Sequence, residues 1–259
     1  MITLFRRFRQ RLLTENKFSR YLIYAIGEII LVVIGILIAL GINNNNNFNA
    51  QRKVEQEYLT SLQSEFEINL QKINTSIKVN EQRIQTLETV LTLFSKNVRD
   101  TISQQNISQL LGPILGSDIQ YVPATGVLND IISSGKLNLI LNKNLRQDLA
   151  SFESTINYLS TQLNDADFTQ RKLTSLFFKN GSAKTIVMDL KMIDSELQSI
   201  SAKTNNKDIF TSIEFENYLV DYYLLAKATN GPRLFSGIKS QIENILKEVE
   251  HELENTESY

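Results

Sequence analysis

The most apolar stretch of the chain runs from Tyr21 to Ile42 and contains one charged residue, Glu28. A helix of these 22 residues is ~33 Å long at ~1.5 Å per residue, which is enough to cross a hydrocarbon core of ~30 Å. A helix that started after Glu28 would reach only ~21 Å, which is too short. The pattern therefore predicts a transmembrane helix over residues 21–42, with Glu28 inside the bilayer.

The leader before this segment is strongly basic. It has one acidic residue, Glu15, so its net charge is +5, from the six cations Arg6, Arg7, Arg9, Arg11, Lys17 and Arg20. Basic residues flanking a span remain in the cytoplasm, which predicts a cytoplasmic N-terminus and an external C-terminus. The first four of these cations lie on an amphipathic stretch, residues 2–13, and the cluster is predicted to contact anionic lipid at the membrane surface. The predicted domains are a leader (1–20), a transmembrane helix (21–42) and an extracytoplasmic helical domain (43–259).

A cleaved signal peptide is the alternative interpretation of this N-terminal region. The tripeptide "ALG" at residues 39–41 would serve as a weak small-residue cleavage site. However, signal peptides have apolar regions of about 7–15 residues, and the stretch here is longer. The length favours a retained anchor.

Glu28 lies on one helical stripe with two small residues, Gly35 and Ala39, at offsets of seven and eleven positions. Small residues four apart allow helix backbones to approach closely, so the stripe is a predicted helix-association site. A carboxylate persists in lipid when it faces protein, a cation or water. Three roles are open for Glu28: pairing with Arg20 or Lys17, a protonated contact between helices, or proton coupling with another protein's span.

A second pattern, of apolar residues spaced by threes and fours, follows the asparagine tract at residues 43–47. Its members are Leu59, Leu62, Phe66, Leu70, Ile73, Ile77, Ile84, Leu87, Leu91, Phe94 and Val98. This heptad spacing is typical of coiled-coil packing. Neither proline nor glycine occurs between Ile42 and Gly112, so the transmembrane helix is predicted to continue into this seam. Asn80 fills the one gap, either as a register-fixing residue or as an ordinary asparagine on a buried face.

The rest of the chain also favours helices. Dense glycine and proline predict loops over residues 112–126. The predicted helices that follow are a short one from Thr125 or Asp130 to Gly135, a long one from Lys143 to Phe178, and further ones over 189–201, 212–228 and 235–253. The only strand candidate is "TIVMDL" at 185–190. The predicted fold class is mainly α: an N-terminal transmembrane helix that continues into an elongated helical-bundle ectodomain.

Charge and cysteine content exclude some classes of function. Of 27 basic and 28 acidic residues, 21 and 26 follow Ile42, so the ectodomain has a net charge of −5. Such a domain lacks the basic face that nucleic-acid binding needs, and no nucleic-acid partner is expected. The chain has no cysteine, which excludes disulfides and thiolate chemistry.

Residues arranged for catalysis or cofactor binding are not apparent. The single histidine, His251, lies among glutamates near the C-terminus and is typical of a solvated helix face. The tetrapeptide "SSGK" at 133–136 lacks the upstream glycine of a phosphate loop, and Gly135 is better explained as a helix cap. Tyr218, Tyr222 and Tyr223 could line a ligand cleft or belong to the core. We expect no enzyme activity, no cofactor and no metal site.

Residues 11–44, "RLLTENKFSRYLIYAIGEIILVVIGILIALGINN", resemble an uncharacterised family of single-span bacterial envelope proteins with the anchor YAIGEIxLVVIGILIALxIN. A second stretch, residues 127–152, is similar to a family segment with a Ser-Gly-Lys-Leu core. The chain departs from the family pattern at Asn45, where a tryptophan is usual. The family is a domain of unknown function, so the resemblance implies location alone: the bacterial inner membrane, crossed once, with a periplasmic C-terminal domain.

Three functions compete at this point. The first is a membrane-anchored interaction protein whose partners are membrane lipid and either further copies of itself or other envelope proteins. The second is a ligand-sensing ectodomain that signals through a partner membrane protein. The third is a hydrolase of envelope polymers, for which no constellation of residues is identifiable. The two apolar patterns favour the first, and the sensor is the alternative.

Overall fold

The computed structural model describes residues 18–194 and 205–256, and throughout these ranges the regular elements are helices, with no strand. The α-helices are α1 Phe18–Leu91, α2 Lys96–Thr101, α3 Gln104–Gly116, α4 Gly126–Ser133, α5 Lys143–Asn180, α6 Ala183–Asp189, α7 Ile213–Thr229 and α8 Phe235–Thr256. Short 3-10 helices cover Thr92–Phe94, Lys136–Leu139 and Lys207–Thr211. The mainly α class, with a long apolar N-terminal helix that leads into further helices, is confirmed.

Packing divides the chain into two units, Met1–Glu57 and Tyr58–Tyr259. The first unit contains the apolar part of α1, the one helix in the described ranges that is long and apolar enough to cross a membrane. None of its most apolar window is buried. This unit is compatible with the predicted single-pass anchor. The predicted domain limits at residues 20 and 42 concern the bilayer, so they stay a prediction.

The second unit begins with the part of α1 that carries the predicted seam. The seam forms one side of the core, where Leu59, Leu62, Phe66, Ile73 and Leu87 are fully buried. Apolar side chains spaced by threes and fours share one helix face, so their common burial follows from the pattern.

The seam ends earlier than predicted. Helix α1 stops at Leu91, and Ser95 has an extended backbone with ψ near 124°. Leu93, in the 3-10 turn Thr92–Phe94, is still buried, but the change of direction at Ser95 breaks the helical phase, and Val98, in α2, is 39% exposed. The prediction that Val98 belongs to the seam is wrong, because heptad spacing alone does not detect a break that lacks glycine and proline.

The long helix α5 packs against α7, α8 and α3 and completes the core. Its first turn is capped by the Asn142 side chain, which accepts hydrogen bonds from the amides of Asn144 and Leu145, and Gly181 follows its last residue. Phe152 of α5 meets Phe66 of α1 edge to face, with ring centroids 5.0 Å apart. The predicted long helix is therefore confirmed.

Three further local predictions need correction. The strand candidate at 185–190 lies instead mostly in α6, where the Ser182 hydroxyl accepts from the Thr185 amide and caps the helix. The helix predicted over 189–201 is wrong for its first residues, because α6 ends at Asp189 and residues 190–194 are not helical. Residues 195–204 lie outside the described ranges. The loop predicted from Gly112 starts five residues late because α3 continues through Pro113 to Gly116.

Candidate functional sites

The predicted association stripe lies on the apolar part of α1. Glu28, Gly35 and Ala39 are all exposed, and a Cβ added to Gly35 would meet no atom within 4 Å. The structure therefore places the three residues on one open helix face, and their role in association stays a prediction. Of the basic cluster, Arg6, Arg7, Arg9, Arg11 and Lys17 lie outside the described residues; Arg20 is in α1, and its side chain is likewise outside the description.

The second unit contains an extended segment, residues 117–125, that joins α3 to α4; we call it the strap. Its backbone follows α1 in the opposite direction, because Arg83 bonds to Ser117 and Asp118, Asn69 to Ala124, and Glu65 to the residues just after the strap. The lengths agree. The 18 helical residues between the outermost contacts span ~27 Å, and nine extended residues span ~30 Å.

Two polar side chains of α1 fix the second half of the strap. Asn69 is fully buried, and its amide makes a double contact: Nδ2 donates to the Ala124 carbonyl at 2.8 Å, and Oδ1 accepts from the Ala124 amide at 2.7 Å. The Glu65 carboxylate accepts from the amides of Val127 at 2.7 Å and Leu128 at 3.0 Å. It thereby caps α4, whose own N-cap residue, Thr125, makes no side-chain cap.

Arg83 fixes the first half of the strap. The residue is 7% exposed, and its guanidinium donates four hydrogen bonds. Nη1 donates to the Ser117 carbonyl at 2.7 Å and to the Tyr222 hydroxyl at 2.9 Å, while Nη2 donates to Ser117 Oγ at 3.1 Å and to the Asp118 carbonyl at 3.0 Å. Each acceptor is a neutral oxygen, and Nε has no partner in the described part of the chain.

Asn80, the polar residue of the seam, is 2% exposed and lies on the same part of α1. Its Nδ2 donates to the Ala226 carbonyl and to Asn230 Oδ1, both at 2.8 Å, so it joins α1 to the end of α7. These two acceptors fix the orientation of the amide, which leaves Oδ1 without a partner among the described residues. Asn80 is thus a buried-face asparagine with a specific contact.

A cleft of about 210 Å³ separates α1 from the first half of the strap. Arg83 and Asn80 are among its lining residues, together with Ser76 of α1 and with Ser117, Asp118 and Gln120 of the strap. Sequence reasoning missed this cleft. The available signal was the pair of polar residues Asn80 and Arg83, three positions apart, next to the apolar residues Ile77 and Ile84 of the seam.

The tyrosines that could have lined a cleft have separate positions. Tyr222 is fully buried, and burial raises its pKa to about 12, against the opposing effect of Arg83. Tyr223 lies at the surface side of α7, where its hydroxyl donates to Glu88 and accepts from Lys227. Tyr218 is partly buried against the core. They do not form a common cleft.

The motif "SSGK" forms a helix end, as predicted. Gly135 has φ of 71°, in the left-handed region, directly after α4. The next residue, Lys136, donates to the Tyr58 hydroxyl at 2.9 Å, and Tyr58 donates to Asp130 at 2.7 Å. This chain of contacts joins the end of α4 to α1. The hydrogen bond with Tyr58 also raises the pKa of Lys136.

His251 lies on α8 with its Nδ1 atom 3.7 Å from Glu252 Oε1, and the side chain is exposed. The described residues include no group of three or more histidine, cysteine or acidic side chains arranged to hold a metal ion.

The comparison with protein families gives one finding. A model described as "Family of unknown function (DUF6090)" matches residues 28–224, which is well over half of the chain. The matched range begins at Glu28 and includes the strap and the cleft. Comparison with curated proteins and with solved structures gave no match.

Proposed function

The chain belongs to the family of unknown function DUF6090, and from that premise we propose that it is a single-pass membrane protein whose helical domain binds partners and does not catalyse a reaction. One observation carries the proposal, namely the exposed apolar surface of α1. Fourteen large aliphatic side chains between residues 22 and 42 are about half exposed or more: Leu22, Ile23, Ile26, Ile29, Ile30, Leu31, Val32, Val33, Ile34, Ile36, Leu37, Ile38, Leu40 and Ile42.

The size of this surface decides what must cover it. Each aliphatic side chain gains about 1.5–3 kcal/mol from full burial, so half-exposed residues in this number forfeit on the order of 10–20 kcal/mol in water. That equals or exceeds the whole stability of an ordinary domain, ~5–15 kcal/mol. A lipid bilayer covers such a helix on all sides, and the helix satisfies its own backbone hydrogen bonds there. The proposed occupant is therefore membrane lipid.

The proposed topology places the N-terminus in the cytoplasm and residues 43–259 in the periplasm of a bacterial inner membrane. It is supported by the leader charge of +5 and by the resemblance of the anchor to single-span envelope proteins. The test is a pair of fusions of alkaline phosphatase, which is active only outside the cytoplasm, after Tyr259 and before Met1. We expect activity from the C-terminal fusion alone. Activity from the N-terminal fusion alone would refute the topology.

The proposed partner within the membrane is a second copy of the chain, bound through the Glu28 stripe. An unpaired charge at the centre of a span costs ~2.5–3.5 kcal/mol and less nearer an edge, and Glu28 is the one charged residue in residues 21–42. A contact with a second copy would give both carboxylates a protein environment, and Gly35 and Ala39 would allow the approach. The span of another envelope protein is the alternative partner, which the cross-linking test given below distinguishes.

A further inference from the structure

The cation of Arg83 has no direct counter-ion in the described part of the protein. Its four hydrogen bonds all go to neutral oxygens, although the residue is only 7% exposed. A buried charge is ordinarily paired, because burial without a partner is costly. The C-terminal end of α3, just before Ser117, supplies partial negative charge but no carboxylate.

Three polar side chains at the rim of the cleft make no hydrogen bond to the rest of the described protein. Ser76 contributes a hydroxyl, Gln120 an amide and Asp118 a carboxylate. Asp118 accepts the Arg83 bond through its backbone carbonyl, at 3.0 Å, and not through its side chain. No ion pair joins the carboxylate to the guanidinium in the described part of the protein. The cleft is thus lined by one cationic and one carboxylate side chain.

We propose that this cleft binds a small zwitterion of the α-amino-acid class, with its carboxylate toward Arg83 and its ammonium toward Asp118. The volume of about 210 Å³ is below the ~300–1,000 Å³ that is typical of sites for drug-sized ligands, so a small metabolite fits it. Ser76 and Gln120 supply adaptable polar contacts at the rim. The inference does not depend on the membrane proposal, because every cleft residue belongs to the second unit.

The same charges argue against simpler ligands. A ligand with only a negative charge would be attracted by Arg83 but repelled by Asp118. A ligand with only a positive charge would be attracted by Asp118 but repelled by Arg83. Arg83 Nε and Asn80 Oδ1 are shielded from solvent in this structure, so direct bonds to them require a slight shift of the cleft wall. The competing explanation is that Arg83 only holds the strap, which predicts no ligand binding at all.

The experiment measures thermal stabilisation and binding of the full-length protein in detergent micelles. The probes are the twenty free L-amino acids, with propionate and ethylamine as matched compounds that carry one charge each. We expect at least one amino acid to raise the melting temperature in a saturable manner, and propionate and ethylamine to have no such effect. Absence of binding by every amino acid would overturn the proposal, as would equal binding of propionate.

Three variants locate the site. Ser76→Phe fills the cleft from α1 without altering a hydrogen bond of Arg83, and it should weaken binding at least ~10-fold. Asp118→Asn removes the partner of the ammonium and should weaken amino-acid binding about tenfold. Arg233→Gln, at an exposed arginine outside the cleft, is the control and should bind as the parent does. Unchanged binding by Ser76→Phe would place the ligand elsewhere and overturn the assignment.

Discussion

Asn69 provides the sharpest test of how the strap is held. The residue is fully buried, and both of its amide atoms bond to Ala124, at 2.8 and 2.7 Å. Each bond contributes ~0.5–1.5 kcal/mol net, so Asn69→Ala should lower the free energy of unfolding by about 1–3 kcal/mol. Local opening of the strap should become easier by the same amount, because these two bonds hold its backbone to α1.

Asn69→Asp separates the two bonds. The carboxylate can still accept from the Ala124 amide, but it cannot donate to the Ala124 carbonyl, and its charge is buried. Burial raises the pKa of such a carboxyl in the folded state above the unfolded value of ~3.9. Protonation of this group therefore contributes stability that is fully present below pH ~3.9 and is lost as the pH rises through the folded-state pKa. We therefore expect this variant to be ~3 kcal/mol less stable than the parent at pH 7, with a smaller deficit near pH 4.

The assay is denaturant unfolding of the full chain in mild detergent, followed by circular dichroism at both pH values, with hydrogen exchange of residues 117–125 measured by mass spectrometry. Asn74→Ala, at an exposed asparagine on the same helix, is the matched control and should change stability by less than ~0.5 kcal/mol. If Asn69→Ala matches this control in stability, and residues 117–125 exchange equally fast in both variants, Asn69 does not hold the strap.

Two further predictions follow from α1 and α4. Cross-linking in membranes should capture a dimer of the parent protein and of Glu28→Gln. Glu28→Leu removes the polar contact and Gly35→Leu prevents the close approach, so both variants should give less dimer. Equal cross-linking of all four proteins would exclude the stripe as an interface, and capture of a different protein would identify a heterologous partner. Gly135→Ala should destabilise the fold by about 1 kcal/mol because φ is 71° there, whereas Gly116→Ala, in open space within α3, should not, and equal melting temperatures for the two variants would contradict the assignment.

The predicted elements were accurate where one helix face is continuously buried. The spacing of Leu59, Leu62 and Phe66 is visible in the sequence because burial acts on every turn of the same helix. The strand candidate at 185–190 was wrong because a six-residue stretch with five apolar or β-branched residues fits a buried strand and a short helix equally well. The Ser182 cap decides for the helix, and a single capping serine is a weak signal in a sequence.

The cleft was beyond prediction for a different reason. Arg83 and Asp118 are 35 positions apart, and their meeting depends on the path of the strap. That path is set by side chains of α1 which bond to backbone atoms, so the strap sequence gives no sign of it. The stripe at Glu28, in contrast, could be recognised from local spacing alone, although spacing does not identify a partner.

The way the strap is held has a consequence for how this protein can diversify. Asn69, Lys72 and Arg83 bond mainly to carbonyl and amide groups that any amino acid supplies, at Ala124, Val122 and Ser117. The helix thus specifies the path of the strap without specifying its outward side chains. Mutations at the exposed positions 118, 120 and 122 can accumulate at little cost to folding, and two of these positions border the cleft. Relatives with the same scaffold could therefore acquire different ligand preferences by changing the strap alone.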